Sequence, residues 1–161
     1  MLSRIRPLGI KLTFEDRFYK LGESIELEIE LRPRIELEVI EGRVDLVCEE
    51  RYIDVYIKHY PPTRNIMTRG GFSEPISMSG YSKRVTEQQR NTYVHSRIVF
   101  LKDARLKPGK STVFNAKLEI QSDTPPHATM GKVKWELVTL IHANSRDATK
   151  RQTIRLLLPQ K

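Results

Sequence analysis

The sequence predicts an all-β protein, a β-sandwich of two packed antiparallel sheets, and three observations carry that prediction. Apolar and polar residues alternate with period two along most of the chain, as in SIELEIEL at 24–31 and KVKWELVTLIH at 132–142. Successive side chains of a strand leave opposite faces, so such runs are half-buried strands. Clusters of proline, glycine and short polar residues separate these runs, as they do in proteins made of short strands and turns. No segment carries the 3.6-residue apolar period of an amphipathic helix.

In chain order, the turn Tyr19-Lys20-Leu21-Gly22-Glu23 leads into a strand with Ile25, Leu27, Ile29 and Leu31 on one face and Glu26, Glu28 and Glu30 on the other. Pro33 lacks the N–H that a central ladder needs, so the chain bends or bulges there. Two alternating rows follow: Ile35, Leu37 and Val39, then Val44, Leu46 and Cys48 across a bend at Gly42. Arg51 to Tyr60 forms another strand with Tyr52 and Val55 out of simple phase, the mark of a bulge or a change of layer. Pro61 and Pro62 stop it.

Residues 61–92 have no sustained periodicity, and the first thirty of them hold three glycines and three prolines. They are read as a long, weakly patterned loop region within a single domain spanning 1–161. The alternatives are a pair of short edge strands or the segment that does the specific work, because packed domains seldom spend so much chain on structureless loop. TYVHSRIVFLKD restores strand character, and Lys107-Pro108-Gly109-Lys110 is a turn, since proline presets φ and glycine accepts positive φ. Thr112, Phe114, Ala116, Leu118 and Ile120 then face one way. Ser122 to Pro126 crosses over to a strand with Val133, Trp135, Leu137, Thr139 and Ile141 inward, and Ile154, Leu156 and Leu158 line a last returning strand. Trp135 is thereby a core residue.

Composition narrows the function classes. With 161 residues, 39% of them hydrophobic, the chain holds enough apolar surface for one core and is not a disordered segment. The lone Cys48 alternates with buried positions and reads as a small hydrophobe in a reducing, cytoplasmic setting. There is no leader-like apolar region and no run near the ~20 apolar residues of a membrane-spanning helix. The net charge of +8 is regional: residues 23–60 hold 11 acidic against 5 basic groups, and residues 61–110 hold 10 basic against 3 acidic. Such a reversal fits self-association or recognition of a charged partner.

The residues offer no catalytic or metal constellation. Gly70-Gly71 and Gly109 lack the strand–turn–helix setting of a phosphate loop. His59, His95, His127 and His142 are widely spaced, without any metal-ligand motif. Cys48 and Ser79, the conceivable nucleophiles, have no base or orienting acid tied to them by spacing. Nothing calls for a cofactor, and the protein is read as a non-enzyme. Basic residues interleaved with Phe72, Tyr81 and Tyr93 suit backbone neutralisation and base stacking, so nucleic-acid or anionic-surface binding through 61–110 is the alternative reading.

Two segments resemble a known family. FYKLGESIELEIELRPRIELEVIEGRVDLVCEERY at 18–52 resembles the glycine turn and following strands of the arrestin-like β-sandwich family. VFNAKLEIQSDTPPHATMGKVKWELVTLIHAN at 113–144 resembles that family's strand, proline crossing and tryptophan-bearing strand, through Leu118, Pro125, Pro126, Val133, Trp135 and Leu137. The resemblance implies an arrestin- or immunoglobulin-like sandwich, a single-domain member akin to the bacterial sporulation-control proteins, acting by protein contact without catalysis. Full arrestins have two such domains and this chain has length for one, so receptor and phosphate recognition are not carried over. Residues 61–92 match no pattern of the family. The expected role is a protein-interaction, adaptor or scaffold module that binds a protein partner or its own copy through an edge strand and a surface including Arg64, Arg69, Phe72, Tyr81, Lys83 and Arg84.

Overall fold

The computed structural model describes residues 7–60, 63–64, 77–78, 80–128, 131–144 and 146–158. It contains strands β1 (Leu8–Thr13), β2 (Phe18–Lys20), β3 (Ser24–Pro33), β4 (Leu37–Tyr60), β5 (Thr63–Arg64), β6 (Ser77–Met78), β7 (Tyr81–Leu106), β8 (Thr112–Glu119), β9 (Gly131–Ala143) and β10 (Ala148–Leu157). One sheet has the order β1-β3-β8 and a second the order β2-β10-β9-β4-β7, while β5 and β6 form a separate two-stranded pair. The two larger sheets pack as the expected sandwich. All their ladders are antiparallel except β2 on β10, which is parallel.

The alternation in the sequence sets which face is buried. In β3, Ile25, Leu27, Ile29 and Leu31 are buried and the glutamates between them point outward. From the opposite sheet come Leu37, Val39, Val44, Leu46 and Cys48 of β4, Trp135, Leu137 and Ile141 of β9, and Ile154 of β10, all joined with the β3 row in one core cluster. Trp135 is 4% exposed, with His95 packed edge-on at 5.1 Å between ring centroids. The turn before β3 uses Gly22 at φ +88°, where a side chain would be strained.

Three expectations need correction. Leu37 to Cys48 is one continuous strand and not two separated by a bend. The register of β4 against β9 shifts between Val39 and Glu41, where Ile40 is the extra residue, and that inserted residue moves the inward row to the other parity. Hence Leu37 and Val39 are buried on odd positions, and Val44, Leu46, Cys48 and Glu50 on even ones. Ile35, expected in the inward row, lies outside the strand and is 50% exposed. The weakly patterned stretch 61–92 also does not stay a loop, since residues 81–92 belong to β7.

The proline crossing before β9 is held down by a buried carboxylate. Glu50, 1% exposed, accepts from the Tyr93 hydroxyl at 2.9 Å, from the His127 backbone N–H at 2.9 Å and from His127 Nδ1 at 2.9 Å. Ser96 Oγ accepts from the Gln121 N–H at 3.0 Å, and His95 Nε2 donates to the Asp123 carbonyl at 2.8 Å. The His127 ring stacks on Tyr52 at 4.0 Å. Segment 121–128 is therefore fastened to β4 and β7 by side chains, and Pro125 is buried beneath it.

Candidate protein-interaction surface

β4 and β7 outrun the sandwich. β9 covers β4 from Val39 to Tyr52, where the ladder ends at Tyr52 opposite Gly131. Past that point, among the described residues, β4 pairs with β7 alone, through eight registered pairs from Ile53–Gln88 to Tyr60–Tyr81. At about 3.4 Å per residue this is an arm roughly 25 Å long. Gly131 marks its root: a Cβ there would collide with the backbone carbonyl of Arg51 and come within 2.8 Å of Tyr52 Cα, so only glycine lets β9 begin so close to the departing strand.

Neither face of the arm is apolar-in and polar-out. The face continuous with the solvent side of the sheet bears Ile53, Val55 and Ile57, which are 51%, 45% and 62% exposed, with Gln88, Thr86 and Arg84 opposite them. It ends with His59 Nδ1 at 2.7 Å from Ser82 Oγ. The face continuous with the core side carries the pairs Asp54–Glu87, Tyr56–Val85, Lys58–Lys83 and Tyr60–Tyr81. Tyr60 and Tyr81 stack at 4.7 Å, and Lys58 Nζ sits 5.3 Å from the Tyr60 ring centroid. At the root, a depression of about 690 Å³ is lined by Arg51, Tyr52, Ile53, Arg90, Gly131 and Lys132 among others.

The regional charge reversal is met in part within the chain. The acidic β4 and the basic β7 are ladder neighbours, and Arg97 makes a two-pronged contact with Asp45 at 2.8 and 3.2 Å while Arg105 meets Glu38 at 2.8 Å. Arg43 also reaches Asp45 at 3.3 Å. Arg51 and Arg90, opposite each other, both close on Glu49, at 2.7 and 2.9 Å. The Glu49 carboxyl is held below its ordinary range chiefly by its hydrogen bond from Arg51, and the Arg97 guanidinium is held above its own by Asp45.

The other chemistry-bearing residues stay apart. Cys48 is completely buried and its thiol is pushed up to about 11 by that burial, so it is protonated at neutral pH. His59, His95, His127 and His142 bind Ser82, Asp123, Glu50 and Asp147 respectively, at separate places. Among the described residues no group of three His, Cys, Asp or Glu side chains is arranged to hold a metal ion, and no helix is long and apolar enough to cross a membrane.

Of the surface residues expected from sequence, the structure brings together Tyr81, Lys83 and Arg84, all exposed on the β7 half of the arm. Arg64 lies in β5, paired with Ser77 of β6. Arg69, Phe72 and Ser79 lie outside the described residues. The sequence reading missed the β4 half of the arm, Ile53 to Tyr60. Its signal is present in YIDVYIKHY, where apolar residues occupy both parities, a pattern that no strand with one solvated face shows.

No protein-family model matches the chain, and no curated protein matches it either. Among solved structures the chain is similar to Spo0M, a sporulation control protein from Bacillus subtilis, with a TM-score of 0.54 and 18% identity over 94% of this chain and 50% of that one. The chain thus spans about half the length of that protein, and the likeness is one of fold: the arrestin-like β-sandwich. A DUF4466 family protein from Parabacteroides merdae overlaps 93% of this chain and 45% of its own at a TM-score of 0.39 and 13% identity.

Proposed function

We propose that this chain is a single-domain, non-enzymatic interaction module that works by protein contact, with the β4–β7 arm as its binding element. The observation that carries the reading is the eight-pair ribbon that leaves the sandwich with Ile53, Val55 and Ile57 exposed on one side and aromatic residues on the other. A two-stranded ribbon is marginal by itself in water, and exposed apolar side chains grouped on one element are the mark of a docking surface. The fold likeness to a protein described as a sporulation control protein agrees with a regulatory module, as analogy only. The buried, protonated thiol of Cys48 suits a reducing, cytoplasmic setting.

The test is a comparison of the full chain with a variant in which residues 53–88 are replaced by a short turn, both immobilised and exposed to the proteins of the native host. A partner retained in stoichiometric amount by the full chain and lost with the arm supports the reading. Identical retention by both forms overturns it. The nucleic-acid reading has less support, because Arg90, Arg97 and Arg105 are occupied by acidic partners. Labelled oligonucleotides are expected to show no saturable binding tighter than the non-specific range of ~10⁻⁴ to 10⁻⁶ M.

A further inference from the structure

We infer that the core-side face of the arm is a self-complementary surface, on which a second copy of this chain docks by a two-fold rotation centred on Tyr56 and Val85. This deepens the proposed function and rests on it, since it names an occupant for one face of the arm.

The argument starts from the ladder between β4 and β7. Within the sandwich their cross-strand charges are opposite, as in Glu38–Arg105 and Asp45–Arg97. In the arm the same two strands place Asp54 opposite Glu87 and Lys58 opposite Lys83. Like charges directly across a ladder destabilise it. At the root the Arg51–Arg90 pair is relieved by Glu49, but among the described residues none of Asp54, Glu87, Lys58 and Lys83 forms an ion pair.

The order along this face, from root to tip, is an acidic pair, then Tyr56–Val85, then a basic pair. Rotation by 180° about an axis in the face and perpendicular to the strands turns that order end for end. Asp54 then lies over Lys58 of the other copy, Glu87 over its Lys83, and the reverse contacts form by symmetry, with Tyr56 and Val85 meeting their own counterparts. An isologous contact requires such a self-matching patch. The face is also the core side of the sheet carried beyond the end of β9, so another arm stacked at the usual ~10 Å sheet spacing extends the two-layer sandwich. An arm of this length offers only a few hundred Å² per copy against ~800 Å² for a stable standard interface. The dimer is accordingly weak, dissociating between roughly 1 µM and 1 mM, and salt-sensitive.

The experiment is sedimentation equilibrium on the full chain up to about 1 mM, with the double variants K58E/K83E, acidic throughout this face, and D54K/E87K, basic throughout it. The wild type is expected to dimerise and to weaken as salt rises. Each variant alone is expected to dissociate at least about tenfold more readily, and an equimolar mixture of the two to form a one-to-one heterodimer at least as tight as the wild-type dimer. A wild type monomeric at every concentration, unchanged dimerisation of either variant, or failure of the mixture to associate overturns the inference. Should a charge variant fail to fold by circular dichroism, Tyr56→Cys supplies the second test. Its copies are expected to be joined by a short bismaleimide cross-linker, which reaches across the sheet spacing that a disulfide cannot span, whereas those of Ile57→Cys, on the opposite face, are not; equal cross-linking of both overturns the inference. A monomeric wild type whose arm is still needed to retain another protein would remove the dimer and leave the proposed function standing.

Discussion

The same pair of strands, β4 and β7, behaves in two ways along its length, and the contrast separates what holds the fold from what is left for a partner. In the sandwich, β4 is a central strand whose inward residues reach the opposite sheet and whose acids meet the arginines of β7. In the arm, the strands keep their backbone ladder but have apolar residues on both faces and like charges across from each other. The backbone ladder therefore continues the strand, while among the described residues the cross-strand ion pairs stop where β9 stops. The proposed binding element begins at the boundary where the cross-strand ion pairs end.

Substitutions on the two sides of the boundary measure the contrast directly. Leu137→Ala, in the packed sandwich where Leu137 is completely buried, is expected to cost about 2–5 kcal/mol in urea unfolding. Ile57→Ser, in the arm, is expected to change monomer stability by less than about 0.5 kcal/mol. Equal losses at the two sites would erase the distinction.

Cys48 gives the sandwich an alkaline pH signature. Its thiol is raised from an ordinary 9.0 to about 11, first by burial. The fold thus favours the protonated form, and that stability is complete below pH 9 and is lost as pH rises from about 9 to about 11. The loss amounts to about 2–3 kcal/mol. Cys48→Ala is expected to remove this alkaline decline, followed by denaturant midpoints between pH 8 and pH 11.

At the junction of the two regions, Glu50→Gln weakens the carboxylate contacts that hold His127 and Tyr93. A loss of about 1–2 kcal/mol is expected, with faster amide exchange at His127 and Gln121 and unaltered exchange at Leu137. The smallest effects concern the ladder charges. Arg97→Ala is expected to cost about 1 kcal/mol, since Arg97 is half-exposed and the buried Asp45 keeps Arg43 as a partner. Lys83→Glu, which sets opposite charges across the arm, is expected to gain a few tenths of a kcal/mol in the monomer. A loss on Lys83→Glu would mean that Lys58 and Lys83 do not compete for one face.

Much of the sandwich was legible in the sequence because alternation and burial have one cause. Ile25 to Leu31, Leu118 and Ile120, and Trp135 to Ile141 lie where their period-two pattern places them. The phase change in β4 was legible as two rows, but a bulge and a bend leave the same mark in a sequence, and only the ladder distinguishes them. The arm was hidden for a different reason. Periodicity records the presence of a buried face, and YSKRVTEQQRN in β7 buries neither face, so its residues resemble a loop. The destination of the charges was equally hidden: the pairing of Asp45 with Arg97, 52 residues apart, depends on register and leaves no local sign.

The parallel pairing of β2 with β10 bears on how the protein acquires its shape over time. Three residues near one end of the chain, Phe18 to Lys20, find their ladder partners at Arg155 to Leu157, and Arg155 reaches Asp16 across 139 residues of sequence at 2.9 Å. Closure over so long a loop is paid for before any contact rewards it, which places folding among the slower topologies, roughly milliseconds to seconds. During synthesis β2 leaves the ribosome early and waits for β10, with the inward faces of β1 and β3 also lacking their opposing sheet. The β4–β7 ladder, which joins residues from Tyr60 and Tyr81 out to Leu37 and Leu106, closes over shorter loops than β2 with β10. The inward faces of β1 and β3 therefore stay open until the late strands arrive, an interval in which the chain is exposed to non-native contacts.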